Sequence, residues 1–322
     1  MTRSVRIDPL TGAEVILSTE RTRVRPPLPG PVVDPHQCPF CPGHEAQTRS
    51  TIAAVPAAGE WSARAFANRR PALVVEEQSS VRRGLFAAHG GVGAHEVIVE
   101  SRLHAPLHDQ PVAQTERALS LAVQRLSDLR RDPRLVSIHW FRNVGAAAGA
   151  SQEHPHAQVV ALPLVPAAQQ SRAARAHEHH ARTGQGLLAA VLAAEVASGE
   201  RVVGAFGPVV ALCPFAPRAP FEVWLVPQRA MGSLAGSTAS EQVGLASALH
   251  GVTAALRQVV GPHLCYNATL VDPSVGAPEH VGWFVRVEPR LAVDGGLERG
   301  LGVAVHGIAP EAAAHSLRGA VP

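Results

Sequence analysis

Apolar residues recur at helical spacing over residues 112–131, where Leu119, Leu121, Ala122, Leu126 and Leu129 follow Pro111, a residue tolerated before a helix but not inside one. An Ala-rich stretch, 168–199, predicts a second helix with Leu187, Leu188, Val191, Leu192 and Val196 on one face. Residues 239–259 predict a third. Strand-like apolar runs lie at 95–100, 135–143, 156–162, 202–212, 221–227, 265–271 and 283–288. The order strand, helix, strand, strand occurs twice, 126 residues apart. His95-Glu96-Val97-Ile98-Val99 is echoed by Phe221-Glu222-Val223-Trp224-Leu225, and His154-Pro155-His156 by His280-Val281-Gly282. This pattern predicts an α+β fold made of a duplicated unit, with halves at 1–166 and 167–322. The first half keeps its polar residues and the second loses most of them, so the chemistry is expected in the first.

The chain has 322 residues, 46% of them hydrophobic, enough for one large or two modest globular domains. Its net charge is only +3 and its Arg residues are scattered, so no nucleic-acid partner is expected. Lysine is absent altogether. That excludes Schiff-base and pyridoxal-phosphate lysines and a P-loop. Tyr266 is the single tyrosine. The first residues hold no apolar signal region, and no apolar run is read as long enough to span a membrane. A cytoplasmic protein is expected. In that setting a close cysteine pair points to metal or redox chemistry before a disulfide.

Three features carry candidate chemistry. Cys38-Pro39-Phe40-Cys41 closes a Pro-rich segment, 23–43, that cannot be regular helix. Alone, such a pair is a redox couple or half a zinc site. Pro39 and Pro42 suit a knuckle-like turn better than the helix start that a redox motif opens. The second feature is Glu100-Ser101-Arg102-Leu103-His104. His104 and His154 are candidates for the other two ligands of a closed tetrahedral zinc site, which would be structural because no coordination position stays open. The third feature is a Gly/Ala-rich turn from Asn143 through Gly145 and Gly149 to Ser151, followed by Gln152-Glu153-His154-Pro155-His156-Ala157-Gln158. Small residues there let backbone N–H groups approach a phosphate. His154 and His156, two apart on a strand, are expected to point to opposite faces, so that one faces the metal and the other a pocket, with Gln158 on the face of His156. The cluster His177-Glu178-His179-His180 reads as a solvated helix face.

These residues resemble the galactose-1-phosphate uridylyltransferase family, the branch of the histidine-triad superfamily whose third triad position is Gln. The matching text includes Asp8-Pro9-Leu10-Thr11-Gly12, Cys38-Pro39-Phe40-Cys41-Pro42-Gly43, Phe66-Ala67-Asn68-Arg69-Arg70-Pro71, His95 through Ser101 with His104, and His154-Pro155-His156-Ala157-Gln158. The resemblance implies duplicated histidine-triad units with a largely antiparallel sheet flanked by helices. It implies zinc at Cys38, Cys41, His104 and His154, and His156 as nucleophile. It places Gln158, Ser151, Gly149 and Asn143 around an α-phosphate, and Asn68 near the nucleoside. The implied reaction moves a nucleotidyl group from a nucleoside diphosphate-sugar to a phosphorylated acceptor through a nucleotidyl-His156 intermediate, in a homodimer. Phosphorolysis or hydrolysis of the same substrates, or nucleotide binding without turnover, are the alternatives.

The chain also departs from that family. Ligands of a second metal site would fall at Val271, at Phe284 and Arg286 (or Gly282 and Phe284) and within Ala167 to Arg172, and none of these is a histidine or a carboxylate. A second site is therefore expected to be absent. The family's polar hexose contacts would fall within Glu298 to His306, where the sequence is unusual. The sequence therefore does not single out galactose, and a different sugar phosphate, inorganic phosphate or a specialised-metabolism acceptor stays open.

Overall fold

A computed structural model describes residues 3–20, 37–78 and 80–321; most of the Pro-rich segment lies outside the described residues. The chain opens with β1 (Arg3–Ile7) and β2 (Glu14–Ser18). The first half continues with β3 (Thr51–Val55), β4 (Ala63–Ala67), the short hairpin β5 (Val81–Arg82) and β6 (Ala88–His89), then β7 (Ala94–Val99), α1 (Val112–Leu129), β8 (Ser137–Val144) and β9 (His156–Leu162). Next come α2 (Ala167–Thr183), α3 (Leu187–Ser198), β10 (Val202–Phe206), β11 (Val209–Leu212), β12 (Val223–Pro227), α4 (Ala239–Val260), β13 (Tyr266–Val271) and β14 (Phe284–Pro289). The chain closes with α5 (Gly296–Leu301), β15 (Ala304–His306) and α6 (Pro310–Arg318).

Ten strands form one antiparallel sheet in the order β10-β11-β12-β14-β13-β8-β9-β7-β4-β3. The order reads alike from either end, and the two runs meet where β8 pairs with β13 and Asn143 lies opposite Asn267. The fold is thus α+β around a large antiparallel sheet. A separate small sheet, β1-β2-β15, ties the two ends of the chain together, with β15 parallel to β2.

Helices α1 and α4 cover one face of the large sheet, burying Leu121, Leu126, Trp140, Leu249, Leu256 and Val285 in one apolar cluster. Arg125 of α1 grips buried Glu96 of β7 through two hydrogen bonds, 2.7 and 2.8 Å. By length and composition α4 is long and apolar enough to cross a membrane, contrary to the sequence reading. Here it is a core helix, with Leu245, Val252 and Leu256 fully buried. On the opposite face, Leu188 and Leu192 of α3 pack over Val210, Leu212, Trp224 and Phe284. Cys38 and Phe40 pack over Phe66, Val97 and Val99. Between these two covers, Phe141, Gln158 and Thr269 of the central strands stay half-buried.

The elements differ from the sequence reading in four ways. The helix expected over 168–199 is two helices, because Gly184 takes a left-handed conformation (φ 72) and ends α2. The run 202–212 is a hairpin that turns at Gly207 (φ 56). The strand expected from 221 starts at Val223, since Phe221 has φ 59. And β1 to β4, β15, α5 and α6 are short elements whose apolar pattern the sequence reading passed over.

Candidate active site

The first cluster starts from a turn. The Cys41 N–H donates to the Cys38 carbonyl (3.3 Å) and the Phe40 N–H points at the Cys38 sulfur (3.4 Å). Both sulfurs thereby face one point. His104 lies in the loop after β7, and His154 just before β9. The Cys41 Sγ is 3.5 Å from the Nδ1 atoms of His104 and His154. All four ligand atoms of Cys38, Cys41, His104 and His154 lie within 4.8 Å of one another. The His154 Nε2–H donates to the Ser101 carbonyl (2.8 Å), which turns a bare Nδ1 toward the sulfurs. Burial lowers His154 to about 4, against the pull of that carbonyl, so its ring is neutral at pH 7. Burial, with Cys38 beside it, pushes the Cys41 thiol up to about 11. Two crowded thiols and two imidazoles, that of His154 neutral, form a donor set that fits one metal ion. Among the described residues it is the one such group.

His156 is 6% exposed. Its Nδ1–H donates to the His154 carbonyl (2.9 Å), leaving Nε2 unprotonated. Burial lowers its pKa, opposed by that carbonyl and by Glu100. The ring is therefore neutral at pH 7 and nucleophilic at Nε2. Phe40 meets it edge-on, ring centres 5.3 Å apart, so the Cys-turn also props the histidine. The expectation that His154 and His156 point to opposite faces fails on its premise, because strand alternation puts residues two apart on one face; both border one cleft and both rings lie against Phe40. Strand β9 begins only at His156, and His154 precedes it.

His156 and Asn143 border a cleft of about 400 Å³, counting its open mouth, together with Glu100, Arg142, His108 and Tyr266. Burial works against the Arg142 charge, and Glu100 with the Tyr266 hydroxyl overcomes it. The guanidinium donates to Glu100 Oε1 at 2.6 and 3.2 Å.

Gln158 lies on β9 beside His156 but outside the cleft wall. Its Oε1 accepts from the His95 Nε2–H (2.7 Å) and from the Asn68 amide (3.4 Å). His95 Nδ1 accepts from the Ala72 N–H, which fixes the tautomer. Both donors converge on the Gln158 oxygen, so its NH2 group is the part left to offer a ligand. Asn68, expected near a nucleoside, thus touches Gln158. The sequence reading passed over His95 as a site residue. Its one signal was a polar residue beside Glu96 at the head of an apolar run. The turn after Asn143 is a tight 3-10 turn, Ala146–Ala148, between Gly145 (φ 80) and Gly149 (φ 83). The N–H groups of Ala148, Gly149 and Ala150 are spent on carbonyls of the turn itself. This corrects the expectation that the turn's amides as a group face a phosphate. Ser151 is exposed at its end.

The second half fills the corresponding places with apolar and paired groups. On β14, Val285 and Val287 join the core as Ala157 and Val159 do on β9, so Phe284 and Arg286 share the face of His156 and Gln158. This makes Phe284, not Gly282, the counterpart of His156. Phe284 packs against Trp224, ring centres 4.6 Å apart, and Val271 adjoins that cluster. Arg286 faces Glu222 at 3.6 Å. Arg172 is buried and donates to the Val281 and Gly282 carbonyls. Within Glu298–His306, no residue borders the cleft; His306 is buried and donates to the Pro217 carbonyl (2.8 Å).

Comparison with known proteins identifies this arrangement. Residues 1–166 match the family model for the N-terminal domain of galactose-1-phosphate uridyl transferase. The chain belongs to the galactose-1-phosphate uridylyltransferase family. It is 29% identical over 330 residues to an ADP-glucose phosphorylase of Arabidopsis thaliana, covering 98% of this chain and 92% of that protein. It is 29% identical over 253 residues to a galactose-1-phosphate uridylyltransferase of Thermotoga maritima, covering 78% and 74%. Among solved structures, an ADP-glucose phosphorylase from Arabidopsis thaliana with bound ADP-glucose superimposes with a TM-score of 0.82 at 27% identity, over 99% of this chain and 98% of that one. In this chain the fold brings together the Cys/His quartet, and His156 with Asn143 at one cleft.

Proposed function

We propose that the protein transfers a nucleotidyl group from a nucleoside diphosphate-sugar to a phosphorylated acceptor, with residues 1–166 carrying the reacting groups. The observation that carries this reading is the unprotonated Nε2 of a neutral His156, held beside Asn143 at a cleft. In the first half-reaction Nε2 attacks the α-phosphorus. A P–N bond forms, the bond from the α-phosphorus to the bridging oxygen breaks, and a sugar 1-phosphate leaves. A phosphate oxygen of the acceptor then attacks the same phosphorus and returns the imidazole to its starting state. The NH2 groups of Gln158 and Asn143 donate to the nonbridging oxygens, where charge builds in the transition state. A carboxamide cannot protonate a leaving group, and a phosphate leaving group needs no such help.

The Cys38, Cys41, His104 and His154 set is assigned to zinc. Two sulfurs and two imidazoles within 4.8 Å of one another, with the Cys41 Sγ 3.5 Å from both Nδ1 atoms, would suit a four-coordinate zinc. The ion would supply structural anchorage, fixing the Cys-turn and the lead into β9.

The acceptor is a sugar 1-phosphate or inorganic phosphate. The full-length similarity to a protein named ADP-glucose phosphorylase favours inorganic phosphate as the second reading. Incubation with radiolabelled ADP-glucose or UDP-glucose, with phosphate, galactose 1-phosphate or no acceptor, separates the two. An acid-labile labelled adduct is expected on the wild type and none on His156→Ala. No adduct with either nucleotide-sugar would refute the reading. A cytoplasmic homodimer belongs to the same proposal, and sedimentation at micromolar concentration tests the dimer.

A further inference from the structure

The turn that follows Asn143 does not stand on the first half alone. Three consecutive residues at the start of β13 support it from the second half. Cys265 lies directly beneath Gly145: a Cβ at that glycine would come within 2.2 Å of the Cys265 sulfur. Tyr266 hydrogen-bonds the Arg142 guanidinium. Asn267, 8% exposed and directly across the ladder from Asn143, makes the most telling contacts. Its Nδ2 group donates both to the Asn143 side-chain oxygen (2.7 Å) and to the Ala148 carbonyl (2.9 Å). Its own oxygen accepts from the Arg290 Nε–H, and the Arg290 backbone N–H donates to the Cys265 carbonyl (2.8 Å).

The orientation of each amide in this relay is forced. Arg290 can only donate, so the Asn267 oxygen faces it and the Asn267 NH2 faces the other way. That NH2 in turn requires the oxygen of Asn143, and the NH2 of Asn143 is left for the cleft it shares with His156. We propose that Asn267, oriented by Arg290, is a positioning residue of the reaction. It sets the Asn143 amide as a donor to a nonbridging oxygen of the α-phosphate and holds the turn at Ala148. The half poor in chemistry would then supply the strut for the half that performs it. This inference rests on the nucleotidyl-transfer reading above, and on its phosphate contact at Asn143.

The test uses Asn267→Ala, Asn267→Asp and Arg290→Ala in the full-length protein, with ADP-glucose or UDP-glucose and the two α-phosphorothioate diastereomers of whichever the wild type uses. Circular dichroism and the thermal midpoint check folding. Arg290 is exposed, so its variant carries the test if those at Asn267 do not fold. Loss of the orienting contact is expected to lower the rate of adduct formation by about tenfold to hundredfold, with a small change in KM. The preference for one diastereomer should shrink toward one, because the contacted oxygen is no longer singled out. Asn267→Asp should be slower than Asn267→Ala: its carboxylate accepts from the Asn143 NH2 and turns the wrong end of that amide to the phosphate. Arg290→Ala should shift rate and diastereomer preference in the same direction, less far. Wild-type rates and preference in all three variants, or both diastereomers slowed alike with Asp milder than Ala, would overturn the strut while leaving adduct formation intact. Absence of any wild-type adduct would instead overturn the nucleotidyl-transfer reading itself, and the strut's catalytic role with it.

Discussion

Lowering the pH should strip the metal from the Cys38/Cys41/His104/His154 set long before it protonates the histidine that lies inside it. Metal takes the Cys41 thiolate, whereas the uncoordinated thiol is held protonated up to about 11 by burial and by Cys38. Binding must therefore release at least one proton anywhere between about pH 6 and about pH 9. Each unit of acidification then weakens apparent affinity at least tenfold, about 1.4 kcal/mol, so a shift from about pH 8 to about pH 6 costs at least about hundredfold. His154 adds no competing proton in this range, because burial has lowered it to about 4. The sign is fixed by the chemistry: the protonated thiol is the weaker ligand, so loss occurs on the acid side. Competition for zinc against a fluorescent chelator at several pH values measures the slope. Calorimetry in buffers of different ionisation enthalpy counts the protons. A flat affinity from about pH 6 to about pH 8, or no proton released on binding, would refute the assignment of Cys41 as a ligand.

Because burial lowers the pKa of His156, the acid limb of kcat/KM assigned to it should fall below the ordinary imidazole value, and a limb at or above about pH 7 would contradict this. Gly145→Ala forces a Cβ toward the Cys265 sulfur at φ 80; a loss of about 1–3 kcal/mol in urea unfolding is expected, partly relieved by adding Cys265→Ala, whereas a neutral change would show that the turn can move aside. Arg125→Met leaves Glu96 buried without its cation and should cost about 3–5 kcal/mol in chemical denaturation, with Glu96→Gln restoring part of it; a cost below about 1 kcal/mol would mean that water reaches Glu96.

The candidate site was legible where its information is local. The Cys-x-x-Cys turn bounded by prolines and the run from Asn143 to Gln158 carry their spacing in the chain. Their residue types, together with His104, picked out without coordinates the Cys/His quartet that the fold brings together. The exceptions show where such reading ends. His95 looked like a strand residue, because its role depends on which neighbour the sheet places beside Gln158. His154 and His156 were read as facing opposite ways, although residues two apart on a strand share a face and both border one cleft. The turn amides were credited to a phosphate although several of them close the turn on itself. The break between α2 and α3 falls at Gly184-Gln185-Gly186, where left-handed Gly184 ends one helix and Gly186 starts the next, within a stretch whose Ala and Leu content favours continuous helix.

By itself the sequence determined the chemical inventory: a lysine-free chain, one Cys/His quartet, one histidine-glutamine pair and a small-residue turn beside them. Residue types and short spacings are enough for that, since the ligand set and the active-strand motif are written in side chains. Only the tertiary structure decided which ring nitrogen carries a proton, which end of each amide faces the cleft and that β13 lies beneath the turn. Those depend on hydrogen bonds between residues far apart in the chain, such as Asn143 and Asn267, 124 positions apart, which meet only once strand order and register are fixed.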